Sequence, residues 1–268
     1  MESMIKETLH PSRGLKINGT YNVRDLGGYP IVNGGYTRWR RFLRSESLFE
    51  LDADAQSQLY DYGLRHIVDL RDPPELEERP NVFAESESVN YNHMQMQPEG
   101  PLKITPKEDA SKGERLGQGY CAWLDHGHDR FSKIINVMAD ANDVVLFHCA
   151  SGKDRAGMIA ALLLGLAGVA DDVIVADYTL TAQYSIDNYL ASFENPELLP
   201  PSKRPQKKMD APDNIKTWQD FEREVCPPET MHYMLAHISD VYGGARGYME
   251  TIGMASVKID QLRNSMVA

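Results

Sequence analysis

The sequence predicts an α/β protein, and three segments carry that prediction. Residues 144–147 form a short apolar run, which is typical of a strand buried on both faces. A polar loop and a long apolar segment at residues 158–169 follow, as expected for a strand, a tight turn and a buried helix. Residues 64–70, LRHIVDL, predict a second core strand. Strands and helices that alternate along a chain are the pattern of α/β folds.

The elements predicted before the loop follow one another closely. In order they are a hairpin turn at 32–36, a strand at 38–45, a helix at 52–62 that Gly63 ends, a strand at 64–70 and a strand at 88–94. Within 38–45, the arginines Arg38, Arg40 and Arg41 alternate with aromatic or apolar residues, which indicates a half-exposed strand. Prolines after Arg71 end the strand before them. A polar excursion at residues 95–118 then leads to the C-terminal half.

The C-terminal half is predicted to be mainly helical. Its elements are helical segments at 120–124 and 130–141, the strand at 144–147, the helix at 158–169, a long helix from Asp171 or Asp172 to about Phe193, an irregular region at 196–212, and helices at 214–225, 228–241 and 247–267. No linker or internal repeat divides the chain. We therefore expect a single domain over residues 1–268, with a helical, lid-like insertion at about 176–228.

The loop between the central strand and its helix carries the strongest chemical signal. It begins with Cys149 and ends with Arg155. Between them lie small or polar residues, namely Ala150, Ser151, Gly152, Lys153 and Asp154. A loop that enters a helix N-terminus gathers backbone amides around one point and favours an anion there, most plausibly phosphate. Thiols in such positions ionise readily, and an arginine fork binds two phosphate oxygens. The pattern predicts cysteine-dependent phosphoryl transfer.

The composition of the chain limits the kinds of molecule that it is expected to bind. The formal net charge of −11 argues against sequence-independent nucleic-acid binding, whereas a local basic pocket still permits a phosphorylated substrate. Three cysteines, Cys121, Cys149 and Cys226, form no CxxC pair and fit a reducing compartment. The first residues contain no apolar signal core, and the longest apolar run is too short to span a bilayer. We expect a cytoplasmic protein with no stable membrane insertion.

Three other clusters have alternative interpretations. Residues 125–129 read Asp-His-Gly-His-Asp, which suggests a metal site, but a turn between two helices is the better interpretation because no further ligand cluster supports it. The paired carboxylates of Asp52 and Asp54 also suggest a metal site, but they are better explained as the start of a helix. Four basic residues are interpreted as a solvated loop or as a lid edge that attracts an anionic substrate: Lys203, Arg204, Lys207 and Lys208.

Four motifs together resemble one known family. Residues 148–157, HCASGKDRAG, resemble the phosphate loop of cysteine-based protein tyrosine phosphatases, in the bacterial branch that also hydrolyses phosphoserine, phosphothreonine or phosphoinositides. Asn-x-Arg-Asp-Leu-Gly-Gly at 22–28, Asp-Leu-Arg at 69–71 followed by Glu75, and the segment 242–248 are similar to other parts of that branch. The resemblance runs from about residue 15 to 265.

This resemblance implies a fold, a reaction and a set of residues. The fold would be tyrosine-phosphatase-like, with a central, mostly parallel sheet flanked by helices. Cys149 would form a cysteinyl-phosphate, Arg155 would hold the phosphoryl oxygens, and Asp154 would donate the proton and then activate water, with Asp69 and Asp125 as substitutes. The alternatives are that Asp154 only fixes Arg155 and that Lys153 only faces solvent. The predicted substrate-binding residues are Ala150, Ser151, Gly152, Lys153, Asp69 and Arg71. No metal or cofactor is implied, and the partner would be a phosphorylated protein or a phosphoinositide.

Two features keep rival functions open. The residue after the arginine is usually Thr or Ser in the family, but here it is Ala156, so breakdown of the intermediate is expected to be slow. Ser151 stands where Ala is common, and a hydrogen bond from its hydroxyl to the thiolate is the alternative that would compensate for Ala156. A phosphate-binding module that retains the loop without efficient turnover is therefore the main alternative. Sulfur transfer or arsenate reduction would need a resolving cysteine, and no motif places Cys121 or Cys226 in that role.

Overall fold

A single mixed sheet organises the protein. The computed structural model describes residues 10, 12–98, 100, 102, 104, 109–204 and 212–268. In this part of the chain the strands are β1 (Arg24–Asp25), β2 (Phe42–Ser45), β3 (Leu64–Asp69), β4 (Asn90–His93) and β5 (Val144–His148), arranged in the order β1-β2-β5-β3-β4. The pairs β2–β5, β5–β3 and β3–β4 are parallel, and β1 is antiparallel to β2. The predicted α/β fold with a mostly parallel sheet is confirmed.

Helices flank this sheet. They are α1 (Ala53–Tyr62), α2 (Pro73–Glu78), α3 (Lys112–His126), α4 (His128–Asp140), α5 (Asp154–Ala167), α6 (Asp171–Glu194), α7 (Trp218–Val225), α8 (Pro228–Tyr242), α9 (Ala245–Thr251) and α10 (Ser256–Met266). The predicted ends of α1 are confirmed: Asp52 accepts a hydrogen bond from the Ala55 amide at the start of the helix, and Gly63 ends the helix with φ 117°. The turn predicted at residues 125–129 is also confirmed, because α3 ends and α4 begins around Gly127.

Strand β5 lies at the centre because both of its faces are apolar. Val145 and Phe147 pack into the larger core with α5 and the C-terminal helices, whereas Val144 and Leu146 pack into a smaller core with α1. Side chains of a strand alternate between its faces, so an uninterrupted apolar run fits only a strand covered on both sides. Nearly all of α5 is buried against the larger core. The loop between β5 and α5 is therefore held by the best-packed elements of the fold.

The strand register brings polar residues to one edge of the sheet. Ser45 and Asp69 both pair with His148, and His93 pairs with Asp69. These residues end β2, β3, β4 and β5, so the carboxyl ends of four parallel strands meet at one level. Ligands bind at this edge in open α/β sheets. The register places the segment after β3 beside the loop that follows β5.

Some predicted elements differ from the structure. Of the strand predicted at 38–45, only Phe42–Ser45 (β2) is extended, because Arg40 adopts φ 58° and interrupts the strand. Arg41 is almost fully buried, and its guanidinium donates to the carbonyls of Met138 and Ala141. The prediction that residues 38–41 form a half-exposed strand is therefore wrong. The hairpin at 32–36 forms a single bridge between Pro30 and Tyr36 rather than two strands.

Three boundaries also change. The polar excursion ends at Ser111, where a side-chain cap and Glu114 start α3 eight residues earlier than predicted. The helix predicted at 247–267 is two helices, α9 and α10, separated by Gly253 in a left-handed conformation. Parts of the 95–118 excursion, Lys207 and Lys208 of the basic cluster, and a stretch of the lid-like insertion lie outside the described residues. Within the described ranges, no helix is both long and apolar enough to cross a membrane.

Candidate active site

The loop after β5 is held from outside by its carbonyl groups. Ser47 N donates to Ala150 O (3.1 Å), Asn22 Nδ2 to Ser151 O (2.9 Å), and Arg44 Nη2 to the carbonyls of Gly152 (2.7 Å) and Lys153 (3.2 Å). The N–H and C=O of one peptide unit point in opposite directions. Carbonyls that face the scaffold therefore turn the amides of residues 151–154 toward the inside of the loop. This is the anion-binding arrangement that the sequence predicts.

Gly152 makes this close approach possible. Its φ is +70°, and a Cβ at this position would lie 2.6 Å from the carbonyl carbon of Ser45 and 2.8 Å from Asn22 Nδ2. Both the backbone conformation and the space exclude a larger residue. Asn22 comes from the N-terminal motif, so the two motifs meet although 129 positions separate Asn22 from Ser151.

A buried ion cluster supports the loop from below. Asp177 of α6 is bound by Arg24 Nε (3.1 Å), Arg44 Nη1 (2.5 Å) and the hydroxyl of Tyr29 (2.7 Å). Burial opposes the charge of Asp177, but the two arginines outweigh it and lower the pKa of Asp177 well below its ordinary value. Because Arg44 also holds the loop carbonyls, Asp177 orders the loop through Arg44. This part of α6 lies in the core, although the lid-like insertion was predicted to begin near residue 176.

We expect Asp177→Asn to destabilise the protein by about 3–5 kcal/mol, because it leaves two buried guanidinium groups without a counter-charge. The loss should shrink as the pH falls below about 4, since the lowered folded-state pKa stabilises the fold only where unfolded Asp is ionised. Urea unfolding measures both effects. Asp187→Asn, on an exposed position of the same helix, is the matched control and should change stability by less than about 0.5 kcal/mol. Equal effects of the two variants would contradict the cluster's role.

Arg155 is fixed by a carboxylate from the segment after β3. Its Nη1 and Nη2 bind the two oxygens of Glu75 at 2.5 and 2.8 Å. Burial acts to lower the pKa of Arg155, but the hydrogen bonds from Glu75 reverse this and raise the pKa above its ordinary value. A bidentate pair locks the guanidinium plane. The orientation of the Arg155 guanidinium is therefore fixed before any ligand binds. Arg155 also interacts electrostatically with Cys149.

Asp154 and Lys153 form a polar group with α3 and α7. Asp154 Oδ1 accepts from the hydroxyl of Tyr120 (2.5 Å) and lies 3.0 Å from Lys153 Nζ, which also donates to Val225 O (2.8 Å). Asp154 outweighs burial and raises the pKa of Lys153 above its ordinary value. The side chain of Lys153 is only 14% exposed, so it does not simply face solvent. The end of α7 thus contacts the loop directly.

Two predicted binding residues lie behind the loop. Asp69 is fully buried; its carboxylate binds Arg71 Nη2 at 2.6 Å and lies 3.3 Å from His148 Nε2. Burial opposes ionisation, but His148 and Arg71 lower the pKa of Asp69 well below its ordinary value. His148 Nδ1 donates to the carbonyl of Cys149 (3.1 Å), so Asp69 acts on the loop through His148. Arg71 and Ala150 help to line a small cavity of about 50 Å³ beside the loop.

Asp125 lies apart from these residues. Its carboxylate accepts from the Tyr242 hydroxyl (2.6 Å) and lies 2.8 Å from His237 Nε2, on the surface formed by α3 and α8. These partners give Asp125 a structural explanation. Across the described ranges, no three His, Cys, Asp or Glu side chains are grouped as they would be to hold a metal ion.

The three cysteines differ in their surroundings. Burial raises the pKa of Cys121 and of Cys226 to about 12, so both remain thiols near neutral pH. Cys149 is buried as well, with 1% of its surface exposed. However, it begins the loop whose amides turn inward, and it interacts electrostatically with Arg155. Only Cys149 combines a thiol with an anion site in the described structure.

The sequence did not identify several residues that build this site. They are Asn22, Glu75, Tyr120 and Asp177. Glu75 and Asn22 belong to motifs that the resemblance includes, but the pattern does not show what they contact. Tyr120 and Asp177 are polar residues within apolar helical segments, which is the one signal that could have identified them.

Comparison with known proteins agrees with this geometry. A model of the tyrosine phosphatase family matches residues 15–268. The chain is 30% identical over 227 residues to a tyrosine-protein phosphatase of Nostoc commune, with 83% of this chain and 72% of that protein covered. It is 23% identical to a triple specificity protein phosphatase of Mycobacterium tuberculosis, with 94% of this chain and 98% of that protein covered. The resemblance predicted from the loop is confirmed, and the chain belongs to the tyrosine phosphatase family.

Proposed function

We propose that the protein is a cysteine-dependent phosphatase that hydrolyses phosphomonoesters. The observation that supports this most directly is the loop itself: its carbonyls are bound by the scaffold, its amides turn inward, and Cys149 and Arg155 stand at its two ends. Such a loop stabilises charge on three phosphoryl oxygens without reorganising, which is the main requirement of phosphoryl transfer. Ala150, Ser151, Gly152 and Lys153 are proposed to bind the phosphoryl group through this loop.

The reaction has two chemical steps. The Cys149 sulfur attacks phosphorus, the bond to the leaving oxygen breaks, and a cysteinyl-phosphate forms. Arg155, with its plane fixed by Glu75, holds two of the oxygens during transfer. Water then attacks phosphorus and the sulfur departs. In this second step Asp154 is proposed to accept the proton of water, since its partly exposed carboxylate already accepts hydrogen bonds from Tyr120 and Lys153.

The proposed substrates are phosphotyrosine first, then phosphoserine, phosphothreonine or phosphoinositides. Phosphotyrosine follows from the names of the relatives, and the Mycobacterium tuberculosis protein is named for triple specificity. The Lys153 ammonium beside the loop supplies a second positive charge suited to a more highly phosphorylated ligand. A cytoplasmic phosphorylated protein is the proposed partner.

Steady-state hydrolysis of phosphotyrosine, phosphoserine and phosphoinositide substrates tests the function, and rapid mixing with an aryl phosphate tests the intermediate. We expect turnover preceded by a burst, because Ala156 provides no hydroxyl to assist the departing sulfur. The competing function is a phosphate-binding module, which the same Ala156 favours. A burst equal to the enzyme with no further product would support that module, and no burst and no turnover would contradict the proposed phosphatase.

A further inference from the structure

Besides Glu75, a second carboxyl group lies next to Arg155 and has no role so far. Asp72 follows β3 and precedes α2, and its Oδ1 lies 3.9 Å from Arg155 Nη1. Its Oδ1 atom is buried and has no hydrogen-bond partner among the described residues, although 21% of the side chain is exposed. Buried polar atoms without a partner are rare and call for an explanation. A bound substrate would provide a partner next to Arg155.

The carboxyl groups around the loop differ in what they can do. Asp69 is fully buried and bound by Arg71 and His148, so it cannot reach a substrate. Asp154 Oδ1 already accepts a hydrogen bond from the Tyr120 hydroxyl and lies 3.0 Å from Lys153 Nζ, so this oxygen is already engaged as an acceptor. The Oδ1 atom of Asp72 is also buried, but it has no hydrogen-bond partner among the described residues, and 21% of the Asp72 side chain is exposed. Of these three, Asp72 is the one placed beside Arg155 with a free oxygen.

The burial of Asp72 and the charges that face it favour a protonated carboxyl group. Burial raises the pKa of Asp72 above its ordinary value, Glu75 of α2 raises it further, and Arg155 of α5 acts in the opposite direction. His93 at the end of β4 and Arg130 of α4 also lower the pKa, by smaller amounts. A raised pKa increases the fraction of Asp72 that carries a proton near neutral pH.

We propose that Asp72 is the general acid, which gives its proton to the oxygen of the leaving group in the first step. The proposal deepens the proposed phosphatase function and rests on it. Two carboxyl groups with different surroundings then divide the proton transfers, with Asp72 as the acid and Asp154 as the base. Such a division is found where neighbouring carboxyl groups have contrasting environments.

The proton balance is complete. When the sulfur–phosphorus bond forms, the phosphorus–oxygen bond to the leaving group breaks, and the Asp72 proton moves to that oxygen, which leaves as an alcohol or phenol. Water then attacks the cysteinyl-phosphate, its proton passes to Asp154, and the Cys149 sulfur leaves as thiolate. Exchange with solvent returns a proton to Asp72 and removes one from Asp154. The net reaction is hydrolysis of the phosphomonoester.

Leaving-group dependence tests the proposal. Phenyl phosphate needs a proton on its departing oxygen, whereas 2,4-dinitrophenyl phosphate departs readily without one. In Asp72→Asn we expect kcat/KM to fall by about 10²-fold or more for phenyl phosphate and by less than about tenfold for the dinitrophenyl ester. The wild-type decline of kcat/KM at high pH, which reports deprotonation of the acid, should disappear in the variant. Asp154→Asn should slow breakdown of the intermediate and enlarge the burst for both esters.

Asp72→Ser keeps a residue suited to start α2, and orthovanadate binding confirms that each variant retains the loop. Equal losses for both esters in Asp72→Asn and Asp72→Ser would show that Asp72 only positions Arg155, and unchanged rates would show no role; either result overturns the proposal. A leaving-group-dependent loss in Asp154→Asn instead would assign the acid to Asp154. If wild-type enzyme hydrolyses neither ester, the proposed function fails before the question of Asp72 arises.

Discussion

Replacement of Cys149 by serine should abolish turnover while phosphate or orthovanadate still binds. The serine hydroxyl preserves the shape of the loop, because the scaffold holds the loop by its carbonyls and not by the sulfur. A hydroxyl is not ionised near neutral pH, so the covalent route is lost. We expect a decrease on the order of 10⁴-fold or more in kcat, as for other removed nucleophiles. Steady-state rates and calorimetric binding of vanadate measure the two effects.

Cys121→Ser is the matched control for this result. Cys121 is buried in α3, burial raises its pKa to about 12, and it lies outside the loop. A Cys121→Ser variant that remains folded should keep its turnover. Substantial activity in Cys149→Ser, or an equal loss in both variants, would remove Cys149 as the nucleophile.

Replacement of Arg155 by lysine should have the second-largest effect. The positive charge is preserved, but a single ammonium cannot hold two phosphoryl oxygens and bind both oxygens of Glu75. We expect kcat/KM to fall by about 10³-fold, the scale on which arginine contacts contribute to phosphoryl transfer. The measurement is a steady-state comparison with an aryl phosphate.

Arg115→Lys provides a control on an exposed position of α3, and its rate should match that of the wild type. Vanadate binding shows whether Arg155→Lys keeps the loop intact. A loss of less than tenfold, about 1.4 kcal/mol, would show that the guanidinium does not clamp the phosphoryl group.

Several parts of this protein could be predicted from the sequence. The strand at 144–147, the loop from Cys149 to Arg155 and the ends of α1 at Asp52 and Gly63 depend on neighbouring residues, because burial on both faces, tight turns and helix caps leave local patterns. The family followed from the same loop. Local rules were less reliable at residues 38–41, where Arg40 leaves the extended conformation, and near Gly253, where one predicted helix is two.

The tertiary structure decided how the site is supported and where each carboxyl group lies. The contacts of Arg155 with Glu75 and of Asn22 with Ser151 join residues 80 and 129 positions apart. The first pair arises from the sheet order, which brings the ends of β3 and β5 together, and no local periodicity encodes either pair. The sequence pointed to Asp69 as a substitute acid and did not point to Asp72, although both residues lie near the end of β3. Burial and ion pairs occupy Asp69, whereas Asp72 keeps a free oxygen beside Arg155, because each side chain's surroundings come from segments distant in the chain.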